Sequence, residues 1–259
     1  MRTFDVSGYR PRQGIQMCVA ILTGLVLMPV GIAKGKMDLS GVWEAYHVSH
    51  GPAKTSSDVF VDEPLSALIG EAPRLREPYA SAYQALQKTK RAADEAGHPL
   101  ADSRTQCLPE GMPEMMMAIL PIEILQTDKE IVVLTELLAQ TRRIYMDRKM
   151  PPLDDIVSGY FGYSVGRWEG TKLVVETQGI REDVLFMDLP HSPRMKITER
   201  FRLVGDALED HIVIDDPDVL VEPYRFAHKY KRNPDYQVGE YVCDNNRYRI
   251  NQNGGVELD

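Results

Sequence analysis

Little in this chain points to metal, phosphate or redox chemistry. Three cysteines are spread over 259 residues, with no Cys-x-x-Cys pair and no Cys/His spacing suited to a metal. Walker, dinucleotide-binding and zincin motifs are absent, as are a Gly-x-Ser-x-Gly elbow and an evident Ser-His-Asp set. Positive charge is also short: 30 Lys and Arg stand against 38 Asp and Glu, a net charge of −8. An acidic surface argues against nucleic acid and anionic membranes as partners. There is no internal repeat and no low-complexity linker.

One long apolar run is present, Met17 to Ala33, preceded by Arg10 and Arg12. A basic start, a short apolar stretch and a Gly-Ile-Ala end predict a secretory signal peptide over 1–33, with a periplasmic or secreted product. A membrane anchor is the alternative, but the run is short for a span, contains Pro29 and lacks a following stop-transfer cluster. Cys18 opens the run where a lipidated cysteine would have to follow it, which argues against a lipoprotein. Residues 1–33 carry three arginines and Asp5, so their loss takes the charge from −8 to −10. The remaining cysteines, Cys107 and Cys243, are a candidate disulfide in an oxidising compartment. Closing so long a loop is worth roughly 4 kcal/mol from chain entropy, and two buried free thiols are the alternative.

Residues 34–259 fit a single domain. Asp38 to Val48 reads as a first strand. Pro78 to Ala96 reads as one helix, stopped by Gly97, with Tyr83, Leu86 and Ala93 near one stripe that suits docking. Met115 to Met117 suit adaptable packing better than a copper site. From Ile122 onward the period becomes two. Strands are predicted at 122–126, 131–138, 141–147, 163–168, 172–178, 195–204, 207–215 and 224–231, with 241–249 as a further one. Short links make these mostly antiparallel, and the expected fold is mainly β: a lipocalin-like barrel of about eight or nine strands with one helical excursion near 78–96.

Alternation places Glu199 on the apolar face of its strand with Ile197 and Phe201, and Glu136 with Leu134 and Leu138. It puts His228 and Tyr230 with Tyr224 and Phe226, and pairs Arg143 with Tyr145. If those faces converge, the interior can clamp an aromatic acid: arginine holds a carboxylate or phenolate, tyrosines stack, and His or Glu moves protons. A structural Glu–Arg network is the competing reading. Arg167 flanks Trp168 at a hairpin turn and is either substrate-binding or simply paired. His191 lies in a Pro-His-Ser-Pro loop that can reach a pocket mouth. Asp215 and Asp216 begin a turn, and alone do not make a calcium site.

Several segments together, namely Leu39 to Trp43, CLPEGMP at 107–113, GRWEG at 166–170, KITERF at 196–201, IDDP at 214–217 and EYVCDNNR at 240–247, resemble a large bacterial secreted family, mostly of unknown function. That family carries GHSIGRWEGDTLVV, PHSE, VTER and IDDP at these places. This chain has Tyr163 where the family has histidine, and Asp147 to Met150 where the family has DGRxH. Tyr163 thereby becomes a candidate specialised group, able to donate a proton or hold a phenolate. In size and expected architecture the chain also resembles the cofactor-independent lyases of sphingomonad lignin-aromatic catabolism. The resemblance implies a lyase on a small phenolic compound, releasing formaldehyde or carbon dioxide without a cofactor or metal. His228, Glu199 and Tyr163 are the catalytic candidates. Arg143, Tyr145, Glu136, Arg167 and Tyr230 are the substrate-binding candidates. A small aromatic substrate is the expected partner, and a homodimer is compatible with it. Stable membrane insertion after cleavage is not expected. A non-catalytic carrier and a structural envelope protein are the alternatives.

Overall fold

A computed structural model describes residues 36–45, 72–117, 119–243 and 248–258. The expected signal peptide lies outside the described residues, as does the predicted first strand beyond Ala45. No helix among the described residues is long and apolar enough to cross a membrane.

Nine strands close into a barrel in sequence order. They are β1 (Gly41–Ala45), β2 (Ile122–Gln126), β3 (Glu130–Thr135), β4 (Thr141–Met146), β5 (Tyr163–Glu169), β6 (Lys172–Gln178), β7 (Lys196–Val204), β8 (Ala207–Asp215) and β9 (Tyr224–Arg232). β9 returns to pair with β1, so no edge is left open. The expected fold is therefore the observed one, with a single departure from antiparallel order: β4 and β5 run parallel. The parity of the barrel requires this. An odd number of strands cannot close on itself with every neighbour antiparallel, so one contact must be parallel. A parallel pair needs a long crossover, and residues 147–162 supply it, with a 3-10 turn at Leu153–Asp155.

The predicted strand 131–138 stops early. The chain leaves the sheet after Thr135 into a turn in which Leu138 has φ 58°. The predicted strand at 241–249 does not join the barrel. Instead β10 (Tyr248–Ile250) pairs with β11 (Val256–Leu258) in a separate two-stranded sheet. The helix, α1 (Tyr79–Glu95), buries none of its residues. Gln87 and Lys90 tie it to Asp188 at 3.0 and 2.8 Å, and Tyr83 packs at the edge of the core.

The lumen is filled by side chains in layers, as small barrels require. On β8 and β9 the inward pairs are Ile212 with Phe226, Asp210 with His228 and Leu208 with Tyr230, while on β7 Ile197, Glu199 and Phe201 stand opposite Ile214, Ile212 and Asp210, all buried. From the β1 side the fully buried Trp43 contributes its ring, with Arg232 stacked 4.3 Å from its centre. The segment Glu110–Met117 packs into the same core. Met112, Met115 and Met116 are fully buried, and Met115 and Met116 lie in a 3-10 turn at Glu114–Met117. Gln140 accepts the Glu110 and Gly111 amides at 2.9 and 3.3 Å, Tyr160 accepts the Met112 amide at 2.9 Å, and the Tyr230 hydroxyl donates to the Met116 carbonyl. Gly111 is required here: its φ is 77°, and a Cβ would stand 2.7 Å from the Tyr160 carbonyl oxygen.

A disulfide joins Cys107, just before this segment, to Cys243 in the C-terminal tail across 136 residues of sequence. Cys243→Ser is expected to lower stability by about 4 kcal/mol, since the unfolded chain regains the freedom of the long loop. Urea unfolding of oxidised wild type and variant checks this, and coincident midpoints would refute it.

Candidate functional site

Two features can carry chemistry: a polar layer inside the barrel, and a cleft at its mouth. The polar layer centres on Arg142. Register sets its direction, because Val133 pairs with Arg142 and Ile131 with Ile144. Positions 142, 144 and 146 therefore point inward, and 141, 143 and 145 outward. A one-residue shift of face reverses every side chain.

Arg142 grips Glu199 with both terminal nitrogens, Nη1 to Oε1 at 2.8 Å and Nη2 to Oε2. Its remaining donors reach Thr177 Oγ1 at 3.0 Å and Ser164 Oγ at 3.2 and 3.3 Å, and those two hydroxyls bond each other at 2.8 Å. Both charged side chains are 0% exposed. A buried pair is tolerated only when it is bidentate and its other donors are satisfied, and this network meets both conditions.

Asp210 sits beside the pair and is also fully buried. Neither of its carboxyl oxygens has a donor among the described residues. Its neighbour is the Glu199 carboxyl, which only accepts when ionised. A proton on Asp210 reconciles the two facing acids. Burial first, and then the Glu199 charge, push the Asp210 carboxyl well above the ordinary aspartate range, with Arg142 pulling the other way. The preceding residue behaves oppositely. Glu209 faces outward, where burial alone would raise it, but hydrogen bonds from Lys229, His211 and Arg202 bring it down to about 2. Across the ladder from Asp210 stands His228, edge-on to Tyr230 with ring centres 4.7 Å apart. Burial drives the Tyr230 phenol well above its usual range.

Glu199 and His228 of the sequence candidates thus flank Asp210, and Tyr230 stands one inward position beyond His228. The others do not reach the polar layer. Arg143 points outward and pairs with Glu130. Tyr145 is outside as well, stacked on Tyr163 at 5.0 Å, with Arg148 over its ring. Tyr163 is therefore an outer-face residue and not part of an interior acid. Arg167 is exposed and held by Glu169 and Glu176. Glu136, past the end of β3, accepts from the Tyr236 hydroxyl at 2.7 Å and the Gly239 amide at 3.1 Å. Sequence reasoning missed Arg142 and Asp210, although the signal was present. Ile144 and Met146 share the alternation of Arg142, and Leu208, Ile212 and Ile214 that of Asp210.

The cleft opens at the barrel mouth and encloses about 20 Å³. Its walls are Met112, Phe186, Leu189, Met195, Ile214 and Tyr224, with His191 and Asp216 at its polar edge. Phe186 stacks on Phe226 at 5.2 Å, which continues the aromatic wall toward the lumen. The loop between β6 and β7 carries Phe186, Leu189 and His191. It is anchored by Asp216, which accepts the Ser192 amide at 2.6 Å and the Ser192 hydroxyl at 2.8 Å, and also the amides of Asp218 and Val219. The Pro-His-Ser-Pro and Ile-Asp-Asp-Pro segments are therefore one unit. The Asp216 carboxylate organises that unit. No acid, histidine or cysteine group suited to a metal occurs among the described residues. His191 Nε2 lies 2.9 Å from the Arg181 carbonyl oxygen and Nδ1 3.0 Å from that of Ser192. A neutral ring can donate to one of them, a protonated ring to both. Burial, then the nearby Tyr83, raise the Tyr224 phenol, so it stands in the cleft as a neutral hydroxyl.

Fold and site together define a closed, internally packed β-barrel with a small, aromatic-walled cleft at one end. No family model matches the chain, and no curated protein matches it.

Arg142→Met is expected to cost roughly 3–5 kcal/mol, because it strands the Glu199 carboxylate. Arg142→Met with Glu199→Met should recover most of that loss in urea unfolding, and equal losses for single and double variants would overturn the pairing argument. Asp210 predicts a pH dependence. Its contribution is complete below the ordinary value of 3.8 and is lost as pH rises toward the elevated folded value. Asp210→Asn should therefore gain on wild type as pH rises from about 4 to about 8, read from urea midpoints. Parallel curves would count against a protonated Asp210.

Proposed function

We propose that the protein takes a small phenolic compound into the mouth cleft and acts on it as a cofactor-independent lyase, releasing formaldehyde or carbon dioxide. The cleft carries this reading. Its walls are apolar and aromatic and its polar groups gather on one side, and with about 20 Å³ enclosed it widens to admit a ring. Phe186 and Tyr224 offer faces for a ring. The neutral Tyr224 hydroxyl can donate to a phenolate, and His191 can exchange a proton at the rim. The resemblance of the GRWEG, PHSP and IDDP segments to a secreted bacterial family supports a periplasmic or secreted setting.

The chemistry needs no electron carrier. A para-hydroxyphenyl ring that has expelled a benzylic oxygen is a quinone methide. It accepts the electron pair of the breaking carbon–carbon bond and returns to the phenolate. With its Nδ1 turned away from the Ser192 carbonyl, His191 takes the hydroxymethyl O–H proton and formaldehyde leaves. A carboxylate substituent leaves as carbon dioxide by the same electron path.

A carrier is the second reading. It is favoured by one observation: Arg142 and Glu199 are sealed and committed to each other, so the strongest ion pair is closed to a ligand.

Incubation of purified protein with a panel of lignin-type phenolics, without cofactor, followed by mass spectrometry, separates the two. Loss of a formaldehyde or carbon dioxide unit is the expected result, and His191→Asn should slow it ~100-fold or more while still binding. Unchanged compounds that raise the melting temperature would leave a carrier. No thermal shift and no product would remove both readings. Leu189→Trp, which fills the cleft, should abolish the thermal shift, and a shift that survives would move the site elsewhere.

A further inference from the structure

With about 20 Å³ enclosed, the cleft at rest holds little more than a water molecule, so part of its wall has to move before a ring can enter. That wall includes Phe186 and Leu189 from the β6–β7 loop, and Leu220 and Tyr224 from the β8–β9 side. α1 is joined to both. Its stem is held to the β8–β9 side by backbone bonds. Leu75 bridges Leu220, the Arg76 amide donates to the Val219 carbonyl at 2.8 Å, and the Val221 amide donates to the Arg74 carbonyl at 2.9 Å. Tyr83, on the helix itself, packs at the edge of the core near Tyr224. From Tyr83 to Lys90 is about 10 Å along the helix axis. There the helix meets the other part of the wall through side chains alone. The Lys90 ammonium donates to both Asp188 carboxylate oxygens at 2.8 Å, and Gln87 Nε2 donates to Asp188 at 3.0 Å.

Asp188 belongs to a turn that depends on such contacts. Phe186 and Leu189 close it, with the Leu189 amide donating to the Phe186 carbonyl at 2.8 Å. Its central residues, Met187 and Asp188, have φ of 51° and 65°. Aspartate tolerates that left-handed region, but methionine does not favour it. Glu114 takes the Met187 amide, and its charge works against that of Asp188. Intrinsic backbone preference therefore does not hold the turn in place. The helix opposite buries none of its residues, and the Lys90–Asp188 pair is partly exposed. The base of the same loop is fixed separately, by Asp216 at Ser192. The turn can thus move while the base stays.

We infer that Asp188 is a positioning residue that gates the cleft: bound to Lys90 and Gln87 of α1, it holds the Phe186–Leu189 turn against the cleft, and release of that contact lets the turn move outward and admit a ring. The turn recloses on the ring, with Phe186 against it. The motion stands on this geometry alone, whereas a phenol as the incoming ring rests on the proposed function.

Amide hydrogen exchange of the full chain, read residue by residue by NMR, tests the motion. Lys90→Met removes the cation from a helix that buries no residue, so the fold is kept. Exchange of the Leu189 amide should quicken roughly 5-fold, the size a partly exposed ion pair allows, with the Ser192 amide unchanged. Lys90→Arg should restore the wild-type rate. Unchanged Leu189 exchange in Lys90→Met overturns the gate, and so does equal quickening at Ser192, which is general loosening. Entry is tested with 4-hydroxybenzyl alcohol, by stopped-flow fluorescence. Its association and dissociation rates should both rise by a similar factor in Lys90→Met with the affinity nearly unchanged, because a gate alters rates and a binding contact alters affinity. Weaker affinity at an unchanged association rate would make Asp188 a support of the wall and overturn its gating role. A wild type that binds neither this probe nor any other phenolic of the panel fails the cleft reading, and the entry of a phenol with it, while the exchange result still decides the motion.

Discussion

The contact on which the barrel most depends is the Arg142–Glu199 bond across its lumen. Nine strands force one parallel seam, and that seam, between β4 and β5, is only three residue pairs long. Arg142 stands on one side of it. Its guanidinium reaches Ser164 on β5, Thr177 on β6 and Glu199 on β7. One side chain therefore laces four consecutive strands from within. Outside, Tyr145 and Tyr163 stack across the same seam. Tyr163 thus has a structural partner that explains an aromatic residue there.

The same network fixes where chemistry can occur. A lumen committed to an ion pair and packed with aliphatic and methionine side chains has no room for a ligand at its centre. Space is left where the Glu110–Met117 segment meets the long β6–β7 loop, at the mouth. That loop keeps its shape because the buried Asp216 carboxylate gathers the Ser192 amide and hydroxyl and two amides of its own turn. Two motifs that look separate along the chain are thus the two halves of one clasp. The cleft wall follows from that clasp.

The two acids of the interior illustrate how little side-chain type decides by itself. Glu199 and Asp210 lie on adjacent strands, yet one is gripped by Arg142 and the other has no hydrogen-bond donor among the described residues. Glu209, adjacent to Asp210 in sequence, faces the opposite way into a basic cluster and falls to about 2. Alternation alone separates the two environments, and environment sets the charge.

Much of this was legible in the sequence. Period-two patterning and tight turns dictated a barrel of about nine strands, and the burial of Glu199, His228 and Tyr230 followed from their apolar strand neighbours. Pro78 and Gly97 bracketed the helix to within a residue or two. What the sequence left open was which member of the Arg142-Arg143 pair points inward, since either fits a strand until the partner's register is known. Glu136 was misplaced for a related reason: its strand ends at Thr135, three residues earlier than its apolar pattern suggests. Local alternation thus determined the strands and the inward faces of β7 and β9. The parallel seam, the Arg142–Glu199 bond, the isolation of Asp210 and the cleft depend on contacts between residues far apart in the chain. Only closure of the barrel decided them, because only closure sets register across strands and brings those distant faces into one layer.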